Sequence, residues 1–255
     1  MFKIERIQKI KELLLERRQM EVSALSTLLK VSDATIRNDL EELENEGFLT
    51  RFHGGAALNY AETSGSTNVC DNAMVPYDRN KEEIGFIASK LVKEREWIFL
   101  GPGTTTYYIA KALAHRSNIS ILTNSFLVVN ALKDSPHAKI MFLGGRFQRP
   151  GFYAVPDDLE SELDNIYLDK AFFSVDGLDL CAGYTLSDIA VLKVIQCVKK
   201  HSQEMIMAID STKFDQRSFR KVCGIDDIKT IVTNPDFSEH YRQFFSLHNI
   251  CVHSA

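Results

Sequence analysis

The sequence predicts a chain in two parts: a short helical block ending in a hairpin, then a larger α/β domain on a mostly parallel sheet. Residues 3–49 hold Leu, Ile, Lys, Arg and Glu at helical spacing, with no Pro or Gly before Gly47. Residues 50–80 then become polar and turn-rich, the composition of a hairpin followed by a flexible linker. From Lys81 onward, continuous apolar strands alternate with helical segments, as in strands covered on both faces. The expected domains are therefore 1–57 and 81–255, joined by a linker over 58–80.

With 255 residues, 45% hydrophobic and 25% charged, the chain has room for two ordinary domains and an ample core. Collagen-like, wholly disordered and mucin-like classes are excluded. The net charge of −4 advertises no polyanionic partner for the chain as a whole, so any nucleic-acid contact requires a local patch. The five cysteines, Cys70, Cys181, Cys197, Cys223 and Cys251, are odd in number and scattered, which reads as reduced thiols rather than disulfides or zinc ligands. The seven histidines offer no i, i+4 pair, so no metal site is expected. Charges thread through the apolar residues of the N-terminus, unlike a signal peptide, and no stretch reaches about 18 apolar residues. A cytoplasmic protein with no membrane partner is the expectation.

In the first block, Ile4, Ile7, Ile10, Leu14 and Leu15 recur every three or four residues, the stripe of an amphipathic helix. Residues 21–30 read as a short second helix and Val31-Ser32 as a turn. Ser32 is a natural N-cap for a third helix running from Asp33 to about Glu46, because its hydroxyl accepts from a free amide of the first turn. Asp33 suits the positive end of the helix dipole, and Gly47 is the stop signal.

On that third helix Ile36, Leu40 and Leu43 fall within about a 60° arc and face inward. Ala34, Arg37, Asn38, Glu41 and Asn45 then face outward, with Thr35 flanking. A short helix, a tight turn and a second helix presenting small and polar groups is a helix-turn-helix, whose second helix enters the DNA major groove. Arg37 and Asn38 suit paired hydrogen bonds to guanine and adenine edges. The run Phe48 to Ala56 reads as a hairpin wing, in which Arg51 and His53, beside Gly54 and Gly55, suit phosphate or minor-groove contact. Residues 1–57 nevertheless hold nine Lys/Arg against ten Asp/Glu, and Glu41, Glu42, Glu44 and Glu46 form an acidic run. The pattern alone fits a generic helical interaction module as well as a DNA-reading head.

In the second block, strands are expected at 97–100, 119–122, 139–143, 170–175, 204–209 and 229–232, with helices over 82–92, after 106 and over 126–132. The strands run into Gly101–Thr106, Thr123-Asn124-Ser125, Gly144-Gly145-Arg146, Asp176-Gly177, Asp210–Lys213 and Thr233-Asn234. In an open parallel sheet those ends share one edge, where ligands bind. Gly103, Thr104 and Thr105 suit an anion, through close backbone amides, hydroxyl donors and the positive end of the following helix. Lys213 adds a positive charge and Asp176 an acceptor for sugar hydroxyls, so the set suits a phosphorylated polyol or sugar. Each piece alone also fits an ordinary loop. The loop lacks the motifs of triphosphate and dinucleotide sites, so no nucleotide cofactor is expected. His137, Lys139, Arg146 and Arg149 read either as a basic rim or as scattered surface charge.

The run VSDATIRNDLEELENEGFLTRFHGGA resembles the winged helix-turn-helix signature of the DeoR family of bacterial transcription regulators. Val31, Ser32, Thr35, Ile36, Arg37, Asp39, Leu40, Leu43, Glu44, Gly47, Leu49, Arg51, His53, Gly54, Gly55 and Ala56 stand where that signature has them. Asn38 stands where the family often has a second Arg. In the second block, Gly103-Thr104-Thr105, Thr123-Asn124-Ser125, Gly144-Gly145, Asp176-Gly177, Gly183-Tyr184-Thr185, Lys193 and Asp210-Ser211-x-Lys213 are similar to the family's effector domain. Gly101-Pro102 replaces an acidic and a small residue, and Ile189 and Val191 replace residues that are often Glu.

The resemblance implies a winged helix-turn-helix domain followed by a Rossmann-like effector domain similar in fold to ribose-phosphate isomerases. It implies a repressor of a sugar or polyol operon that binds operator double-stranded DNA through Ser32, Thr35, Arg37, Asn38, Arg51, His53 and Gly54. A phosphorylated sugar would bind through Gly103, Thr104, Thr105, Thr123, Asn124, Ser125, Asp176, Lys193 and Lys213. Because one reading head covers a half-site, a homo-oligomer, dimer or tetramer, is expected. The alternative is a sugar-phosphate isomerase with a helical appendage. Its D-G-x-D pair survives as Asp176 and Asp179, but Leu180 occupies the next acidic position, so the proton-transfer set is incomplete and no catalysis is expected.

Overall fold

The computed structural model describes residues 3–17, 19–45, 49–52, 54–58, 75–149 and 151–254. Glu46, Gly47, Phe48, His53, Cys70 and most of the expected linker lie outside the described residues, as do the side chains of Ile4, Leu15 and Asn45. The chain divides into two compact units, Met1–Pro76 and Tyr77–Ala255.

The first unit contains α1 (Lys3–Arg17), β1 (Gln19–Glu21), α2 (Val22–Leu29), α3 (Asp33–Asn45), β2 (Leu49–Phe52) and β3 (Gly55–Leu58). The expected inward stripes meet: Ile10 and Leu14 of α1, Leu25 and Leu29 of α2 and Ile36, Leu40 and Leu43 of α3 form one core with Leu49 and Ala56. Full burial of such aliphatic side chains contributes roughly 1.5–3 kcal/mol each. The wing is three-stranded, in the order β1-β3-β2, and antiparallel throughout. Strand β1 takes residues before α2 that read as loop or first helical turn. Its partner, Gly55–Ala57, is remote in sequence, so no local pattern announces it.

In the second unit, α4 (Arg79–Lys90), β4 (Trp97–Leu100), α5 (Thr104–Leu113), β5 (Ser120–Thr123), α6 (Phe126–Leu132) and β6 (Lys139–Phe142) come first. A hairpin of β7 (Arg146–Gln148) and β8 (Tyr153–Val155), then α7 (Leu159–Leu163), leads to β9 (Leu168–Phe173). Next are β10 (Gly177–Asp179), β11 (Gly183–Leu186), α8 (Ile189–His201), β12 (Ser202–Ala208), β13 (Arg220–Cys223), β14 (Thr230–Val232), α9 (Glu239–Leu247) and β15 (Cys251–His253). The main sheet has seven parallel strands in the order β15-β14-β12-β9-β4-β5-β6. All six expected strands are in it. The additional strands, β15 and the antiparallel β7-β8 and β10-β11-β13 excursions, are three or four residues long and lack the continuous apolar runs that mark the expected strands.

Two details depart from the sequence reading. Strand β6 is not covered on both faces: it is the sheet edge, and all four of its residues are exposed. Helix α4 starts at Arg79 rather than Glu82, because the Asp78 carboxylate accepts from the Lys81 amide at 3.2 Å and caps it. Residues 77–80, read as the end of the linker, are thus part of the second unit. Chain order reverses between β4 and β9: β5 and β6 lie beyond β4 on one side, while β12, β14 and β15 lie beyond β9 on the other. Such a reversal opens a crevice at the carboxyl ends of the strands. No helix among the described residues is long and apolar enough to cross a membrane.

Candidate functional site

In the first unit the candidate surface is the outer face of α3. The Ser32 hydroxyl oxygen accepts from the Thr35 amide at 3.2 Å and lies 2.9 Å from the Thr35 hydroxyl, so the expected cap is present. Ala34, Arg37, Asn38 and Glu41 are exposed. Neither the Arg37 nor the Asn38 side chain has a hydrogen-bond or ion-pair partner among the described residues. Arg37 and Arg51 line a groove of about 700 Å³ with Val22, Leu40, Glu44, Gly54 and Gly55.

The helix is fixed from behind by a pair that no sequence pattern indicated. The guanidinium of Arg6 on α1 binds both oxygens of Asp39, its Nη2 reaching Oδ1 at 3.0 Å, and the carboxylate is only 2% exposed. That hydrogen-bonded carboxylate raises the Arg6 pKa. Two members of the acidic run, Glu42 and Glu44, are engaged by neighbouring cations. Glu42 pairs with Lys3, while Glu44 accepts from the Arg51 amide at 2.9 Å and from Arg51 Nε at 2.7 Å, which lowers the Glu44 pKa. Arg51, read as a phosphate contact, is therefore engaged in part in holding the wing to α3. Gly54 adopts φ +92° and its carbonyl accepts from the Val22 amide at 2.9 Å, so its role is that of a turn.

In the second unit a cavity of about 210 Å³ lies at the ends of β4, β9 and β12, where the chain order reverses. Gly103, at φ +135°, turns the chain from β4 into α5, and the Thr106 hydroxyl donates to its carbonyl at 2.9 Å. The first-turn amides of α5 have no acceptor within the helix. Gly101 has a different reason: a Cβ there would meet the Phe173 ring at 2.4 Å. From β9 come Ser174 and Asp176, and from β12 Asp210 and Lys213. Lys81 of α4 completes the cationic side; its ammonium pairs with Asp78 at 3.0 Å. Burial works against the Asp78 charge, yet the Lys81 ammonium and amide hold its pKa below the usual value. Lys213 has no ion-pair partner among the described residues.

The carboxylates are already engaged. Asp176 Oδ2 accepts from the Ser187 amide and hydroxyl, both at 2.7 Å, and from the Ser218 hydroxyl at 3.3 Å. Asp188 caps α8 through the Ala190 and Val191 amides and accepts from the Tyr153 hydroxyl at 2.6 Å. Burial and this carboxylate together raise the Tyr153 pKa. Asp210 accepts from the amide and hydroxyl of Thr212. Two ammonium groups and free helix amides for an anion, beside carboxylate oxygens for hydroxyls, suit a small ligand that carries both.

The DeoR-like helix-turn-helix domain family matches residues 6–62, and the DeoR C-terminal sensor domain family matches residues 78–235. This chain belongs to the DeoR family. Among its curated relatives, the lactose phosphotransferase system repressor of Staphylococcus epidermidis is 32% identical over 243 residues, covering 92% of this chain and 93% of that protein. The HTH-type transcriptional regulator IolR of Bacillus subtilis is 26% identical over 260 residues, covering 99% and 100%. A solved ribose 5-phosphate isomerase from Methanocaldococcus jannaschii overlaps 52% of this chain and 53% of its own, with a TM-score of 0.38 at 18% identity, a likeness that carries nothing about chemistry.

Of the residues expected at the DeoR effector site, Gly103, Thr104, Thr105, Asp176 and Lys213 line the cavity together, and Thr123, Asn124, Ser125 and Lys193 do not. The first three of those are fully buried structural groups. The Thr123 hydroxyl donates to the Leu100 carbonyl at 2.6 Å, Asn124 Nδ2 donates to the Ala154 carbonyl at 2.8 Å, and Ser125 caps α6. Polar residues at a strand end serve backbone locking as readily as ligand contact, and sequence does not separate the two. Lys193 is exposed on α8. None of His137, Lys139, Arg146 and Arg149 lines the cavity; Arg146 pairs with Asp157 at 3.1 Å. The sequence reading missed Lys81, which resembles an ordinary solvated helix charge, and Asp188, whose cap position after β11 was the available signal.

The second aspartate of the isomerase-like pair is a turn residue here. Asp179 accepts from the Cys181 and Ala182 amides at 2.9 and 2.8 Å and pairs with Arg217, which is the main reason its pKa is lowered. Glu160, Cys197 and His201 also lie close together, their ligand atoms within 4.8 Å of one another. Lys200 holds Glu160 at 2.7 Å, and burial followed by Glu160 raises the Cys197 thiol to about 11, so it stays protonated near neutrality. Cys197 and His201 are spaced i, i+4, a pairing that a search among histidines alone overlooks.

Proposed function

We propose that this DeoR-family protein is a sequence-specific repressor of a sugar or polyol operon, acting in the cytoplasm as a homo-oligomer. In this reading α3 lies in the major groove and Arg37 and Asn38 contact base edges. Ser32 and Thr35 stand at the start of the helix, where backbone phosphates pass, and Arg51, His53 and Gly54 contribute phosphate or minor-groove contacts. A phosphorylated sugar binds the second unit through Gly103, Thr104, Thr105, Asp176 and Lys213, and its differing affinity for the DNA-competent and DNA-incompetent states sets their populations.

The observation that carries the reading is the outward pair Arg37 and Asn38 on a serine-capped helix, with hydrogen-bonding groups unengaged by the described residues. Named relatives of similar length, such as the lactose phosphotransferase system repressor, support the regulatory role. An isomerase reading has less support, because Asp179 is bound into its turn and away from the cavity.

The test is selection of duplexes from a random pool by the full chain, together with a thermal-shift screen of phosphorylated sugars. A ligand present at about 100 times its dissociation constant stabilises the fold by about 2.7 kcal/mol. The expected result is one enriched, two-fold symmetric sequence and at least one stabilising sugar phosphate. Equal binding to every duplex contradicts the reading.

A further inference from the structure

This inference rests on the reading of the second-unit cavity as an anion site. Lys213 is the cation that the sequence singles out, but Lys81, on the first turn of α4, lines the cavity as well. Its ammonium pairs with Asp78 Oδ2 at 3.0 Å, while Asp78 Oδ1 caps the helix through the Lys81 amide at 3.2 Å. The Asp78 amide donates to the Tyr108 hydroxyl at 2.8 Å, and Tyr108 belongs to α5, whose N-terminal residues line the same cavity. Asn234 donates to the Asn80 carbonyl at 3.2 Å. The first turn of α4 is thus pinned at several points, one of which is an ammonium group at the cavity. Asp78 directly follows Tyr77, the residue at which the chain enters the second unit.

We propose that Lys81 is a second cationic ligand for the phosphate group of the effector, and that binding draws it away from Asp78 and loosens the turn where the chain enters this unit. A phosphate dianion close to Lys81 repels the Asp78 carboxylate on the same ammonium, so the ion pair and the bound anion oppose each other. Thermodynamic linkage makes this reciprocal: removing the pair strengthens anion binding by the factor with which the anion weakens the pair. The two side chains are 22% and 36% exposed, so water screens the pair and the expected factor is about three- to fivefold.

The test uses the full-length chain with inorganic phosphate as the probe, measured by titration calorimetry and by hydrogen exchange. Asp78→Asn keeps the helix cap, because Asn accepts from first-turn amides as Asp does, and removes the charge. Its phosphate affinity is expected to rise about three- to fivefold. Lys81→Gln is expected to bind about tenfold more weakly, the loss for one charge-assisted contact. In the unsubstituted chain, phosphate accelerates exchange of the amides at 78–82; in Asp78→Asn that exchange is already about three- to fivefold faster and no longer responds.

Unchanged or weaker binding by Asp78→Asn overturns the inference. So does wild-type affinity in Lys81→Gln when Lys213→Gln has lost binding, a pair of results that leaves the anion site standing. No phosphate binding by the unsubstituted chain, or none of it lost in Lys213→Gln, removes the anion site itself and the inference with it.

Discussion

Arg37 and Asn38 on α3 present hydrogen-bonding groups that no described residue engages, whereas the carboxylates around the second-unit cavity already accept hydrogen bonds inside the fold. The contrast fits the two kinds of partner. A duplex brings its own rigid array of donors and acceptors, so the protein needs only a firmly seated helix with free groups on one face. A small ligand is enclosed, so the groups around it must be held in place beforehand, and few remain free to meet its charge. The seat of α3 is the buried Arg6–Asp39 pair, and the cavity cation without an ion-pair partner among the described residues is Lys213.

The largest expected effect breaks the first half of this contrast from behind. Asp39→Ala leaves the Arg6 guanidinium, 11% exposed, without its carboxylate. Removing one member of a buried pair costs about 3–5 kcal/mol, so denaturant unfolding should show the first unit destabilised by that amount while the transition of the second unit stays in place. Next, Arg37→Ala or Asn38→Ala should lower discrimination between the selected and mismatched duplexes by about 1–3 kcal/mol per lost paired contact, with no change in unfolding. Lys213→Ala sharpens the other half: phosphate binding should weaken about tenfold, the loss of one charge-assisted contact, while affinity for the selected duplex is kept.

The smallest effect is alkaline. Burial raises Tyr241 to about 12 and the Cys197 and Cys223 thiols to about 11, all in the second unit. The folded state holds these protons where the unfolded chain releases them, so their contribution is complete below about pH 9 and declines as pH rises through 12. Thermal unfolding of the second unit between pH 8 and about 11 should show that decline, and Tyr241→Phe should make it shallower.

What the sequence made legible follows from periodicity and capping. The inward triad Ile36, Leu40 and Leu43, the Ser32 cap and six of the seven strands of the main sheet leave strong local patterns, and the structure contains all of them. Strand β1 leaves none, because three residues paired with a remote partner have neither length nor alternation. The strand-end polar residues were legible as a class but not by role. Thr104 and Asp176 line the cavity, while Thr123 and Asn124 lock backbone in the interior, and the deciding factor is sheet order, which places β4, β9 and β12 side by side and β5 outside them. Lys81 and Arg6 became visible only through what they touch in three dimensions: Asp78 beside a cavity, and Asp39 in a core.

The most direct test of the division of labour is a titration of the full chain and two variants with the selected duplex, in the presence and absence of the sugar phosphate that stabilises it most. Arg37→Ala is predicted to lose duplex discrimination and keep ligand binding, while Lys213→Ala keeps discrimination and loses the response to ligand. Variants that fail together in both measurements, or that exchange these outcomes, would contradict the account.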